Sequence, residues 1–189
     1  MIRILTDSAA DLTAAELNAP GVTVVPMTVT FMDGSSQEDD GTMTKDEFFA
    51  RLASDSKLPR TSQPSPSAYI QAYEDAAAAG DEVIVITIAQ KLSGTFQSAR
   101  LAAADADFTP YIVDSESATQ GEALIVREAL RLRDEEHLSA EEIFNALEQF
   151  KKRVRIVAIV DSLKHLQKGG RLPAAVAIVG GALGIKPVL

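Results

Sequence analysis

Glu82-Val83-Ile84-Val85-Ile86-Thr87-Ile88, followed two residues later by Lys91-Leu92-Ser93-Gly94-Thr95-Phe96-Gln97-Ser98-Ala99, is the stretch on which the fold turns. The first part is a nearly unbroken β-branched run of strand length, which predicts a strand buried on both faces. The second part turns at Ser93-Gly94-Thr95 and opens a helix running towards Ala104. A helix that starts just past a strand end aims its free N–H groups, and the positive end of its dipole, at whatever lies above the sheet. Ser93 and Thr95 add hydroxyls there, and Gly94 removes a side chain from the point of closest approach. The arrangement suits an anion and holds no obvious acid or base. The ordinary alternative is that Ser93 or Thr95 does no more than cap the helix.

Working outward, strands and helices alternate. Ile2 to Thr6 reads as the first strand and is ended by Asp7-Ser8. Thr13 with Glu16, Thr44 with Glu47, and Ser139 with Glu142 each carry the capping-box spacing that opens a helix. Val22 to Phe31 alternates around Pro26, which suits an edge or a kink better than a central strand. Ser35 to Gly41 is an acidic loop or hairpin tip after the Asp33-Gly34 turn. Lys57 to Ser67 holds three prolines and is expected to be a stiff, extended loop carrying Thr61 and Ser62. Ser65 and Pro66 read as N-cap and first residue of a helix over 66–79. Tyr111 to Val113 is a short strand ended by Asp114-Ser115, and a helix follows to about Glu135. Val154 to Val160 is expected to be a strand ended by Asp161-Ser162. A short helix over 163–168, a glycine break before Arg171, a small-residue helix over 174–182 and a strand over 185–189 complete the chain.

This order predicts an α/β domain with a largely parallel, doubly wound sheet. Ligands of such sheets bind beyond the carboxyl ends of the strands, where Asp7-Ser8, Ser93-Gly94 and Asp114-Ser115 all fall. The repeated Asp-Ser admits two explanations. Strand-end carboxylates hold Mg²⁺ in many phosphate-transferring enzymes, which would make Asp7 and Asp114 the working residues of a phosphotransferase or phosphatase. Aspartates after strands also cap turns, and no second carboxylate lies two residues from either one, nor is there a lysine-containing phosphate loop. A module for a small polar anion such as a sugar phosphate is a third possibility. Serine-hydrolase chemistry fits poorly, because Gln90-Lys91-Leu92 precedes Ser93 and neither His137 nor His165 is placed as its base.

Composition narrows the classes. The 189 residues are 46% hydrophobic and 24% charged, as expected of a globular protein, and the net charge of −9 opposes non-specific binding to nucleic acid or anionic membrane. There is no cysteine, so disulfides and thiolate chemistry are excluded, and with two histidines, His137 and His165, a multi-histidine metal site is not expected. The first residues enter a strand with no leader pattern, and the most apolar segment, 172–185, is too short and too broken to span a membrane. A cytoplasmic location is expected. Lys164, Lys168 and Arg171 make a local basic cluster, read either as a solvated helix face or as a surface for an anion or a protein partner.

Five motifs occur in order along the whole chain: Thr6-Asp7-Ser8 with Asp11-Leu12, Thr61-Ser62-Gln63-Pro64-Ser65, Leu92-Ser93-Gly94-Thr95, Val113-Asp114-Ser115, and Leu166-Gln167-Lys168-Gly169-Gly170-Arg171. Together they resemble the DegV family of bacterial fatty-acid-binding proteins. The resemblance implies an α/β domain over 1–152 and the start of a second, smaller α/β domain over 153–189, continued beyond the end of this chain. It implies one long-chain fatty acid enclosed between the two. The protein would be the acyl-carrying subunit of a two-component fatty acid kinase, with no complete active site, metal or cofactor of its own. It would present the carboxylate to a separate ATP-using kinase subunit. The family's carboxylate contacts fall on Thr61 and Ser93. Ser62, Gly94 and Thr95 are neighbouring contacts, and Arg171 faces the cleft or the kinase. Energetics agree with that division of labour. A sixteen-carbon tail buries about fourteen methylenes at roughly 0.8 kcal/mol each, whereas one neutral hydrogen bond is worth roughly 0.5–1.5 kcal/mol. The tail sets affinity and the hydroxyls set orientation.

Overall fold

Four strands, β1 (Ile2–Asp7), β2 (Val22–Val25), β6 (Glu82–Thr87) and β7 (Tyr111–Asp114), form a parallel sheet in the order β2-β1-β6-β7 in the computed structural model. The structure describes residues 1–54, 57–104, 106, 108–159 and 163–171. Ile4 pairs with Ile84, and Ile84 with Tyr111, which puts the Glu82–Thr87 run at the centre of the sheet as its composition predicts. Because side chains alternate along a strand, the run serves two cores at once. Ile84 and Ile86 join Ile4 and Val113 under α5 (Gln120–Asp134) and α6 (Ala140–Phe150), against Ile125, Val126, Ile143 and Leu147. Val83 and Val85 join Leu5 on the other face, against Tyr69, Tyr73 and Ala76 of α3 (Pro66–Ala79) and Ala99 and Ala102 of α4 (Thr95–Ala103). The sheet is doubly wound.

Local chemistry sets the helix starts. Thr13 and Ser139 close full capping boxes at α1 (Ala14–Leu17) and α6. Thr44 and Glu47 exchange the same pair of bonds at 2.8 and 3.2 Å ahead of α2 (Lys45–Ser54). Ser65 accepts from the Ala68 N–H at 3.2 Å with Pro66 at the first position, and Gly80 ends α3 in the left-handed region. Gly121, at the start of α5, has no room for a side chain. A Cβ there would lie 2.1 Å from Ser117 Oγ and 2.7 Å from Ile156 Cδ1.

Three expectations are corrected. The Val22–Phe31 alternation is not one kinked strand. The chain leaves the main sheet at Pro26 and enters a second, antiparallel sheet, with β3 (Thr28–Thr30) between β4 (Ser36–Glu38) and β5 (Arg60–Ser62). Proline cannot donate to a ladder, so it stands where one sheet hands over to the other. Thr61 and Ser62 lie in β5 and not in a loop, opposite Val29 and Thr28. Val154–Ala158 has no strand, and Ile159 makes only a single bridge, because no ladder is available to those residues among the described ones. Arg155 instead turns back to donate to the carbonyls of Lys152 and Val154. The Asp161-Ser162 strand end, the 174–182 helix and the 185–189 strand lie outside the described residues.

Candidate functional site

At the carboxyl ends of β1, β6 and β7 the polar residues are spent on holding one loop. Asp7 is fully buried, and its carboxylate accepts from the Ala9 N–H and, across the sheet, from the Ile88 N–H, both at 2.9 Å. Asp114 accepts from the N–H groups of Gln90 at 3.1 Å and Glu116 at 3.0 Å. Two neighbouring strands thus pin the connection from β6 to α4 at Ile88 and Gln90. This geometry supports the turn-capping explanation of the repeated Asp-Ser: both oxygens of Asp7 and Oδ1 of Asp114 are engaged by backbone N–H groups. Among the described residues no group of three histidines, aspartates or glutamates is placed to hold a metal ion.

Glu122 lies beneath Asp7. It is completely buried in the first turn of α5 and takes a hydrogen bond from the Thr6 hydroxyl at 3.1 Å. Burial, with the Asp7 charge beside it, pushes its carboxyl up to about 10, and burial raises Asp7 to about 6 against its backbone hydrogen bonds. Glu122 is therefore neutral at pH 7. The sequence gives little sign of this pair, because a glutamate in the first turn of a helix is ordinarily a solvated one.

Above the pinned loop lies a cleft of about 840 Å³, within the range of small-molecule sites. One wall is the loop into α4, with Ile88, Gln90, Lys91, Leu92, Ser93 and Gly94; the second is Thr61, Ser62 and Gln63 with Met27; Leu166 and Arg171 close the third side. The structure so brings together Thr61, Ser62, Ser93, Gly94 and Arg171, which are far apart in sequence. Thr95 does not line the cleft. It is buried, and its hydroxyl shares a 2.8 Å hydrogen bond with the Ser93 hydroxyl, so that it orients Ser93 from behind. Gly94 is the N-cap of α4 and supplies no side-chain cap, which leaves first-turn N–H groups for a ligand. Arg171 donates to the Leu92 carbonyl at 3.3 Å and to the Gly169 carbonyl at 2.6 Å, tying the third side to the Ser93 loop. Lys168, His137 and His165 are exposed and do not line the cleft. Among the described residues Lys91 and Arg171 are the charged ones that line the cleft, and no carboxylate does, in a chain of net charge −9. A local positive site in an acidic protein favours an anionic head group.

The family model described as "Uncharacterised protein, DegV family" matches residues 1–189. The chain belongs to the DegV family. A DegV domain-containing protein of Caldanaerobacter subterraneus subsp. tengcongensis is 36% identical over 189 residues, covering 100% of this chain and 66% of that protein. Among solved structures, a DegV family protein from Thermus thermophilus described by its fatty-acid binding superposes with a TM-score of 0.89 at 36% identity, over 100% of this chain and 66% of the other. DegV from Bacillus subtilis, described as a fatty acid binding protein, gives a TM-score of 0.87 at 32% identity, over 100% and 67%. The chain thus spans just under two thirds of the curated DegV relative. Among the described residues no helix is long and apolar enough to cross a membrane.

Proposed function

We propose that the protein holds one long-chain fatty acid in this cleft, its carboxylate at the hydroxyls of Thr61 and Ser93. The observation that carries the reading is that Thr61 and Ser93 line one cleft together with cations and, among the described residues, no carboxylate, in a family whose solved members are described as binding fatty acids. Ser62, the Gly94 backbone and Arg171 complete the surroundings of the head group, and Thr95 acts through Ser93. Residues 153–189 begin a second domain that covers the tail. The protein works in the cytoplasm as a carrier without its own catalytic site and presents the carboxylate to a separate ATP-using kinase. Hydroxyls and N–H groups, with the exposed Arg171 beside them, suit that role, because they orient the carboxylate without burying it in an ion pair.

Native mass spectrometry of the intact protein, before and after solvent extraction, tests the reading. One fatty acid per chain is expected, with palmitate rebinding after extraction. Thr61→Ala combined with Ser93→Ala should weaken palmitate binding about tenfold to a hundredfold while the fold survives, since each lost bond goes to a charged group. An empty protein that shows no shift with palmitate or oleate overturns it, and metal-dependent stabilisation abolished by Asp7→Asn would revive the phosphotransferase reading.

A further inference from the structure

The two hydroxyl-bearing walls belong to different sheets, and one side chain crosses between them. Gln63 follows directly on β5, and the proline after it biases its backbone to an extended conformation. Its Nε2 donates at 3.1 Å to the hydroxyl of Ser98, a residue of α4 that is buried to 1% exposure. The amide lies against Gly94 on the way: a Cβ at Gly94 would stand 2.2 Å from Gln63 Oε1 and 2.6 Å from its Cδ and Nε2. Gly94 is not in the left-handed region, so its lack of a side chain serves this close approach and not a backbone turn. Strand β5 itself is three residues long, exposed throughout, and sits at the edge of its sheet. Such a strand is weakly fixed by its own ladder. Hydrogen bonds weaken steeply with distance and angle, so a carboxylate reaches Thr61 and Ser93 together only if the walls keep one spacing.

We propose that Gln63 is a positioning residue: its amide, passing over Gly94 to Ser98, sets the separation of the Thr61 and Ser93 walls and thereby the grip on the carboxylate head group. This rests on the fatty-acid reading above. The residue touches the helix that follows Ser93 and acts on the ligand through that spacing.

The test compares binding of palmitate and of methyl palmitate, which has the same tail and no charged head, to the intact protein and to three variants. Gln63→Met keeps the length and removes the hydrogen bond, Ser98→Ala removes its acceptor, and the third variant carries both. Palmitate affinity should fall about five- to tenfold in each single variant, the size of one hydrogen bond, and no further in the double. Methyl palmitate affinity and the thermal midpoint should stay within error of the parent. Unchanged palmitate affinity in Gln63→Met overturns the proposal. Equal losses for palmitate and its ester also overturn it, because they would mark a general loosening of the fold. A loss in Gln63→Met but not in Ser98→Ala overturns it as well, because the amide would then contact the ligand itself. If the parent binds no palmitate, the functional reading has failed and not the role of Gln63 within it.

Discussion

The Ser93 wall of the cleft stands on a parallel strand buried along five of its six residues, whereas the Thr61 wall stands on a three-residue strand exposed along all of them. The first is backed by two hydrophobic cores and pinned by Asp7 and Asp114. The second is held by one neighbour, β3, and by the reach of Gln63. A site built this way combines a fixed side with an adjustable one. The difference teaches that similar side chains, two hydroxyls, carry different mechanical authority according to what lies under them. Rigid elements position ligand groups better than edges and loops do.

The comparison can be broken first at its foundations. Ile84→Ala, in the strand below Ser93 and fully buried, should destabilise the protein by about 3–4 kcal/mol. Val29→Ala, the half-buried partner of Thr61, should lose only about 1 kcal/mol. Denaturant unfolding of both variants gives the ratio, and equal losses would dissolve the distinction between the walls.

A second intervention acts on the Ser93 side alone. Burial holds Glu122 protonated up to about 10 and Asp7 up to about 6, both above their ordinary values of 4.5 and 3.8. The folded protein keeps protons that the unfolded chain gives up, so this contribution is complete below about pH 4. It is lost as pH rises, through about 6 for Asp7 and through about 10 for Glu122. Glu122→Gln removes the larger part of that slope. Urea unfolding at pH 5, 7 and 9 should show the parent weakening and the variant nearly level, with the variant ahead by about 2–4 kcal/mol at pH 9. Parallel pH profiles would show that Glu122 ionises freely.

The smallest effect separates the two hydroxyls. Ser93→Ala alone should weaken palmitate binding about tenfold, because a fixed donor cannot be replaced by a neighbour moving in. Thr61→Ala should weaken it only about threefold, since an exposed strand leaves room for water to take the place of the lost hydroxyl. Isothermal titration of the intact protein checks the order, and a larger loss at Thr61 would reverse the assignment of fixed and adjustable sides.

Much of this was legible in the chain itself. The β-branched run, a strand from Glu82 to Thr87 with Ile88 just beyond it, the capping boxes at Thr13 and Ser139, and Ser65 with Pro66 each encode their structure in local chemistry. The resemblance through five motifs also reached the right family. What was not legible depends on partners distant in sequence. Arg60–Ser62 has no strand periodicity and becomes a strand only because β3 lies beside it. The burial of Glu122 depends on Thr6 and Asp7, more than a hundred residues away. Nothing in the proline-rich segment around Gln63 signals that Gly94 and Ser98 stand opposite it. Val154 to Ala158 shows the reverse error: its composition suits a strand, but a strand needs a neighbour to bond with, and none pairs with these residues among the described ones.

The two aspartates at the sheet rim have one more consequence. Each takes a backbone N–H beyond the last residue of β6, as the carbonyl of a further strand would have done. Between them the Ala89 N–H donates to the Ser117 carbonyl at 2.8 Å, so the central strand is in effect lengthened by two side chains and one stretch of loop, at the rim that carries the cleft. The order of the sheet reaches Gln90, and the opening is still left clear.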